Sequence, residues 1–151
     1  MLRGIATHRA TGAKTAQSWH FALLAEAYLK VGRMEEALNA LNESFATLQK
    51  TGERFYESEL YRLKGELLLA QDAANAAQAE QSFRTAIEIS RRQKAKSWEL
   101  RATMSLARLL DKQGRRDEAR AMLADIYGWF TEGFDTADLK NAKALLDKLS
   151  A

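Results

Sequence analysis

The sequence predicts an all-α protein made of stacked antiparallel helix pairs, and three observations predict it. The 151-residue chain has no proline and 27 alanines, which removes the strongest helix breaker and supplies the best helix former. Three passages superpose at offsets of 42 and 40 residues: Ala37, Ala79 and Ala119 fall in register, each followed four residues later by Leu41, Phe83 or Leu123. Upstream, Ala25, Gly65 and Ala107 place a small residue in the preceding helix of each copy. One helix pair cannot bury its apolar face alone, so repeated pairs stack into a continuous core and leave an extended curved surface.

Residues 2–12 align with 42–52 at an offset of 40, with Ile5 over Phe45 and Thr11-Gly12 over Thr51-Gly52. Residues 1–12 therefore read as the trailing helix of an incomplete upstream repeat, in a chain that is a fragment of something longer. Its exposed Leu2 and Ile5 would invite homodimerisation through an unpaired helix.

Repeat one covers 13–52. Phe21, Leu24, Ala25 and Tyr28 at helical spacing predict a helix over 16–31, ended by Gly32 in the left-handed position. Glu35 and Glu36 then suit the first turn of its partner, which runs through Leu38 and Leu41 to Gly52.

Repeat two covers 53–94 and opens near Phe55 and Tyr56. Gly65 lies within its first helix at a cost of about 1 kcal/mol relative to alanine, which implies two backbones in close approach. Asn75 and Gln78 predict a capping box for the second helix, which passes through Phe83 and Ile87 into Arg91-Arg92-Gln93-Lys94.

Repeat three covers 95–130, with Ser97 as the expected N-cap and Gly114 closing its first helix. Its second helix is expected over 117–130. Residues 131–151 form the remainder of an aromatic loop (128–136) and a capping helix over 137–149, with Leu139, Ala142, Leu145 and Leu149 on one face. The loop aromatics Tyr127, Trp129, Phe130 and Phe134 are expected to bury against that last helix. All these segments belong to one domain.

The order of a small residue, Tyr28, Gly32, Ala37 and Leu41, with Gly114-Arg-Arg-Asp-Glu-Ala119 repeating Gly32-Arg-Met-Glu-Glu-Ala37, resembles the tetratricopeptide repeat. The spacing of 40–42 residues is longer than that family's minimum of 34, and its closing proline is missing from every copy. The strings FALLAEAY, TGERFYESELYRLKGELLL and IYGWFTEGFDT further resemble the C-terminal repeat region of bacterial proteins with a signalling ATPase module. In those proteins the module often follows an adenylate/guanylate cyclase domain or a DNA-binding transcriptional-activator domain. The resemblance implies a right-handed superhelix of antiparallel helix pairs and a non-catalytic, regulatory role in protein–protein interaction.

The residues themselves point away from catalysis. Cysteine is absent, and His8 and His20 are the only histidines, without ligand spacing to each other. The sequence contains no phosphate-binding GxxxxGK[ST] loop and no GxSxG elbow. We therefore expect no enzyme, no cofactor and no metal. No apolar run approaches the roughly 18 residues of a membrane span, and a cytoplasmic location with no membrane partner is expected.

The net charge is +3, but residues 84–120 carry 11 Lys or Arg against five Asp or Glu. That stretch is read as solvated helix faces, with nucleic-acid binding as the alternative and self-association as a third reading. In the family that the chain resembles, first helices line the concave surface. Carrying those positions over gives Trp19, Ala22, Glu26, Leu29 and Lys30 from repeat one, Glu59, Arg62, Glu66 and Leu69 from repeat two, and Arg101, Met104, Arg108 and Lys112 from repeat three. The expected partner is a protein or peptide of mixed charge, or another domain of a parent chain.

Overall fold

The computed structural model describes residues 17–151; the expected trailing helix at 1–12 lies outside them. Among the described residues the fold is all helical: α1 (Gln17–Lys30), α2 (Met34–Thr51), α3 (Glu57–Gln71), α4 (Ala76–Arg92), α5 (Lys96–Lys112), α6 (Arg116–Tyr127) and α7 (Ala137–Ser150). A 3₁₀ turn, Ala73–Asn75, leads into α4.

Each helix packs on the next in sequence, while α1, α3, α5 and α7 also adjoin one another in a row. Helices α2, α4 and α6 lie behind that row with their backbones apart, and side-chain ion pairs such as Arg84 to Glu118 bridge α4 and α6. The apolar residues divide into two clusters. Phe21, Leu24, Leu41, Leu48, Leu60 and Leu63 belong to one, formed by α1, α2 and α3. Phe83, Ile87, Leu100, Leu106, Leu123 and Leu149 belong to the other, formed by α4 to α7. Tyr61, Leu68 and Leu69 of α3 pack against the second cluster, so α3 is shared between the two.

The turns show why the register repeats. At Gly32 (φ 79°) the Arg33 amide donates to the Tyr28 carbonyl at 2.9 Å, and at Gly114 (φ 78°) the Arg115 amide donates to Leu110 at 2.8 Å. Gly52, also left-handed, caps α2 through its own amide to Leu48. Forty-two residues on, the matching position is Lys94, which adopts φ 57° without being glycine, and the Ala95 amide still reaches Ser90 at 2.8 Å. The repeat geometry thus imposes a left-handed residue even where the sequence does not supply glycine.

Five expectations change in detail. Gly65 accommodates a ring rather than a second backbone: a Cβ there would sit 2.7 and 2.9 Å from Cδ1 and Cζ of the fully buried Phe83. Asn75 makes no capping bond; its amide donates to the Leu68 carbonyl at 3.0 Å, while Asp72 accepts from the Ala74 amide and opens the 3₁₀ turn. Helix α5 starts at Lys96 behind Ala95, so Ser97 lies inside its first turn and does not cap it. Helix α6 stops at Tyr127, three residues short of the expected end. In the loop that follows, Trp129 and Phe134 remain 57% and 46% exposed. Trp129 packs edge-on to Phe130, and Lys96 lies over its outer face. Helix α7 begins as expected, with Thr136 Oγ1 accepting from the Leu139 amide.

Candidate functional site

The row of α1, α3, α5 and α7 brings most of the expected groove residues onto one continuous face. At its centre Arg62 Nε donates to Glu59 Oε2 at 2.5 Å and Arg62 Nη2 donates to Glu59 Oε1 at 3.0 Å. Both side chains are buried. Arg62 also reaches Glu26 of α1 at 3.5 Å. Arg101 of α5 contacts Glu59, lies 3.6 Å from Glu26 and approaches Asp138 of α7 at 3.7 Å. Lys30 closes the set on Glu26 at 3.2 Å. Glu26, Glu59 and Asp138 balance Lys30, Arg62 and Arg101, so the network has no net formal charge.

This balance decides the protonation states. Burial pushes the Glu26 carboxyl up, but Arg62, Lys30 and Arg101 outweigh it and hold the group below the usual carboxylate range. Burial likewise works against the Arg62 charge, and Glu59, Glu26 and Glu66 more than restore it. A guanidinium held bidentately by a carboxylate in a water-poor setting is positionally rigid. The chemistry available here is charge complementarity.

At the N-terminal ends of the row the aromatics meet. Trp19 packs against Tyr56 at 5.9 Å and Trp98 at 5.6 Å between ring centroids, and Phe55 stands edge-on to Tyr56 at 4.5 Å. Trp19 therefore joins all three repeats as a packing residue. Ala22 and Met104 are buried in the core and do not line the open face.

Towards the C-terminal ends of α3 and α5 the face opens into a cavity of about 310 Å³, lined by residues that include Glu66, Leu69, Ser105, Arg108, Leu109 and Lys112. Arg108 and Lys112 are exposed and make no ion pair among the described residues. Ser105 is 2% exposed, and its hydroxyl has no hydrogen-bond partner.

Two participants were not singled out from sequence. Asp138 could have been found by treating α7 as the next first helix in the row. Ser105 carries no signal, because a serine between two leucine-rich turns looks like any tolerated helix residue.

The basic stretch is largely answered by neighbours. Arg84 bonds Glu80 at 2.9 Å and Glu118 at 3.0 Å, and Arg115 holds the same two carboxylates at 3.2 and 2.9 Å. Arg91 and Lys96 share Glu99, while Arg116 pairs with Asp111. Among the described residues no group of three or more His, Asp or Glu side chains could hold a metal ion, and no helix is long and apolar enough to cross a membrane. His8 lies outside the described residues. No family model matches the sequence, and no curated protein matches it.

Proposed function

We propose that this chain is a non-catalytic protein–protein interaction module of tetratricopeptide-like design. On this reading α1, α3, α5 and α7 line the concave side of a right-handed superhelix, and α7 is the terminal cap. The module recognises a protein or peptide, and binding biases an attached module such as an ATPase, a cyclase or a transcription regulator, in keeping with the bacterial signalling proteins that the sequence resembles. The carrying observation is the row of four helices whose facing side chains form one charge-balanced network crossing every repeat. A surface held by such cross-repeat contacts is preformed, which lowers the ordering cost of binding an extended partner.

The pairing of Arg84, Arg91, Arg115 and Arg116 with neighbouring carboxylates weighs against nucleic-acid binding, because phosphate recognition draws on unneutralised cations. The test is a pull-down from a lysate of the source cells with the wild-type chain and with Lys30→Glu, Glu66→Lys and Arg108→Glu variants. These residues lie at the open face, whereas reversing Arg62 would bury an unanswered charge. A partner retained by the wild type and released by the variants supports the reading. A partner held equally by all variants, or nucleic acid removed by moderate salt, overturns it.

A further inference from the structure

We infer that the open end of this face, between the C-terminal halves of α3 and α5, binds an acidic peptide segment carrying an aliphatic side chain. This inference rests on the interaction reading above and gives it a location and a chemistry. The two ends of the face differ in kind. Around Glu59 and Arg62 every charge has an internal partner, so a ligand there must displace existing ion pairs to gain new ones. Around Ser105 the groups are unanswered: Arg108 and Lys112 stand one helical turn apart without ion pairs, above a cavity of about 310 Å³.

Glu66 is the one carboxylate lining that cavity, and Arg62, one turn back on α3, already lies in its field. Arg108 and Lys112 have no such compensation, so the local surplus is positive. Leu69, Ala73, Ala76 and Leu109 supply apolar walls suited to one aliphatic side chain. The Ser105 hydroxyl supplies the independent sign of a ligand. It is buried, lines the cavity and has no partner, and an orphaned buried hydroxyl is a cost that a bound polar group would remove.

Two cations spaced along one helix face match acidic side chains spaced along a segment lying beside α5. A single terminal carboxylate would meet only one of them. The commitment is therefore to an internal acidic stretch.

The full chain is screened by fluorescence anisotropy against short labelled peptides. They comprise an Asp/Glu-rich probe with two leucines, the same probe with lysine for each acid, the same probe with alanine for each leucine, and a mixed-sequence library. The expected result is preferential binding of the acidic leucine probe. Arg108→Glu/Lys112→Glu should weaken it about tenfold or more, and Ser105→Ala about three- to tenfold. Arg92→Glu/Lys94→Glu, which reverses unpaired cations elsewhere, should leave it unchanged. Preference for basic or uncharged peptides, or binding that ignores Arg108→Glu/Lys112→Glu yet is lost in Lys30→Glu, overturns this inference while leaving the interaction reading standing. Absence of binding by every peptide, or binding unaffected by all these variants, overturns both.

Discussion

Replacing Gly65 with alanine is expected to destabilise the protein, although alanine is the better helix former. In isolation the exchange gains about 1 kcal/mol. Against this, the added Cβ would fall inside the contact surface of the Phe83 ring, 2.7 and 2.9 Å from two of its atoms. That ring is fully buried and belongs to the core cluster of α4 to α7. Overpacking of this kind costs about 1–3 kcal/mol, and a fully buried ring belongs near the upper end. The net loss is about 2 kcal/mol, or a fall in Tm of roughly 4–8 °C for a chain of this size.

The other repeats show the remedy. Ala25 with Leu41 and Ala107 with Leu123 occupy the positions that Gly65 and Phe83 hold in the second copy. Phe83→Leu alone should cost about 1–2 kcal/mol through the space it leaves. The Gly65→Ala/Phe83→Leu double variant restores the pair used elsewhere and should return close to wild-type stability. The coupling between the two sites would then be about 3–4 kcal/mol. Urea unfolding followed by circular dichroism measures all four proteins. A higher Tm for Gly65→Ala alone, or simple addition of the two costs in the double variant, would refute the volume argument.

Other substitutions test other links. Lys94→Gly should stabilise by about 1 kcal/mol, since it relieves a left-handed backbone that glycine adopts without penalty; an unchanged or lower denaturation midpoint would count against the turn assignment. Glu59→Gln should cost about 3–5 kcal/mol by leaving the buried Arg62 charge short of its main partner, read as a lowered urea midpoint with the helical signal otherwise intact. Ser105→Ala should raise stability by about 1 kcal/mol by removing an unanswered buried hydroxyl, in contrast to its expected loss of peptide affinity. For pH, the folded-state pKa of Glu26 lies below its ordinary value of 4.5. Its stabilisation is therefore complete well above that value and is lost as pH falls through the lowered folded value. Urea midpoints taken from neutral pH down to pH 3 should decline below about 4.5 in the wild type and decline less in Glu26→Gln.

The all-helical class, the number and order of the described helices and the spacing of their repeat are legible in the amino-acid sequence. These follow from local physics: apolar residues at helical intervals, a chain without proline, and glycines where the backbone must turn left-handed. It also pointed to Gly65 as a place of close approach, since a glycine within a helix needs a steric reason. Tertiary structure alone decided what fills that space, because Phe83 lies 18 positions away on another helix. The same holds for the face of α1, α3, α5 and α7. Glu26, Glu59, Arg62 and Arg101 share a face by spacing, but whether their charges answer one another or a partner depends on distances across helices that no single helix encodes. Asp138 joins them, and Ser105 is left without a bond, for that reason. Lys94 shows the converse: once its neighbours pack, the array imposes a conformation that lysine alone would not choose.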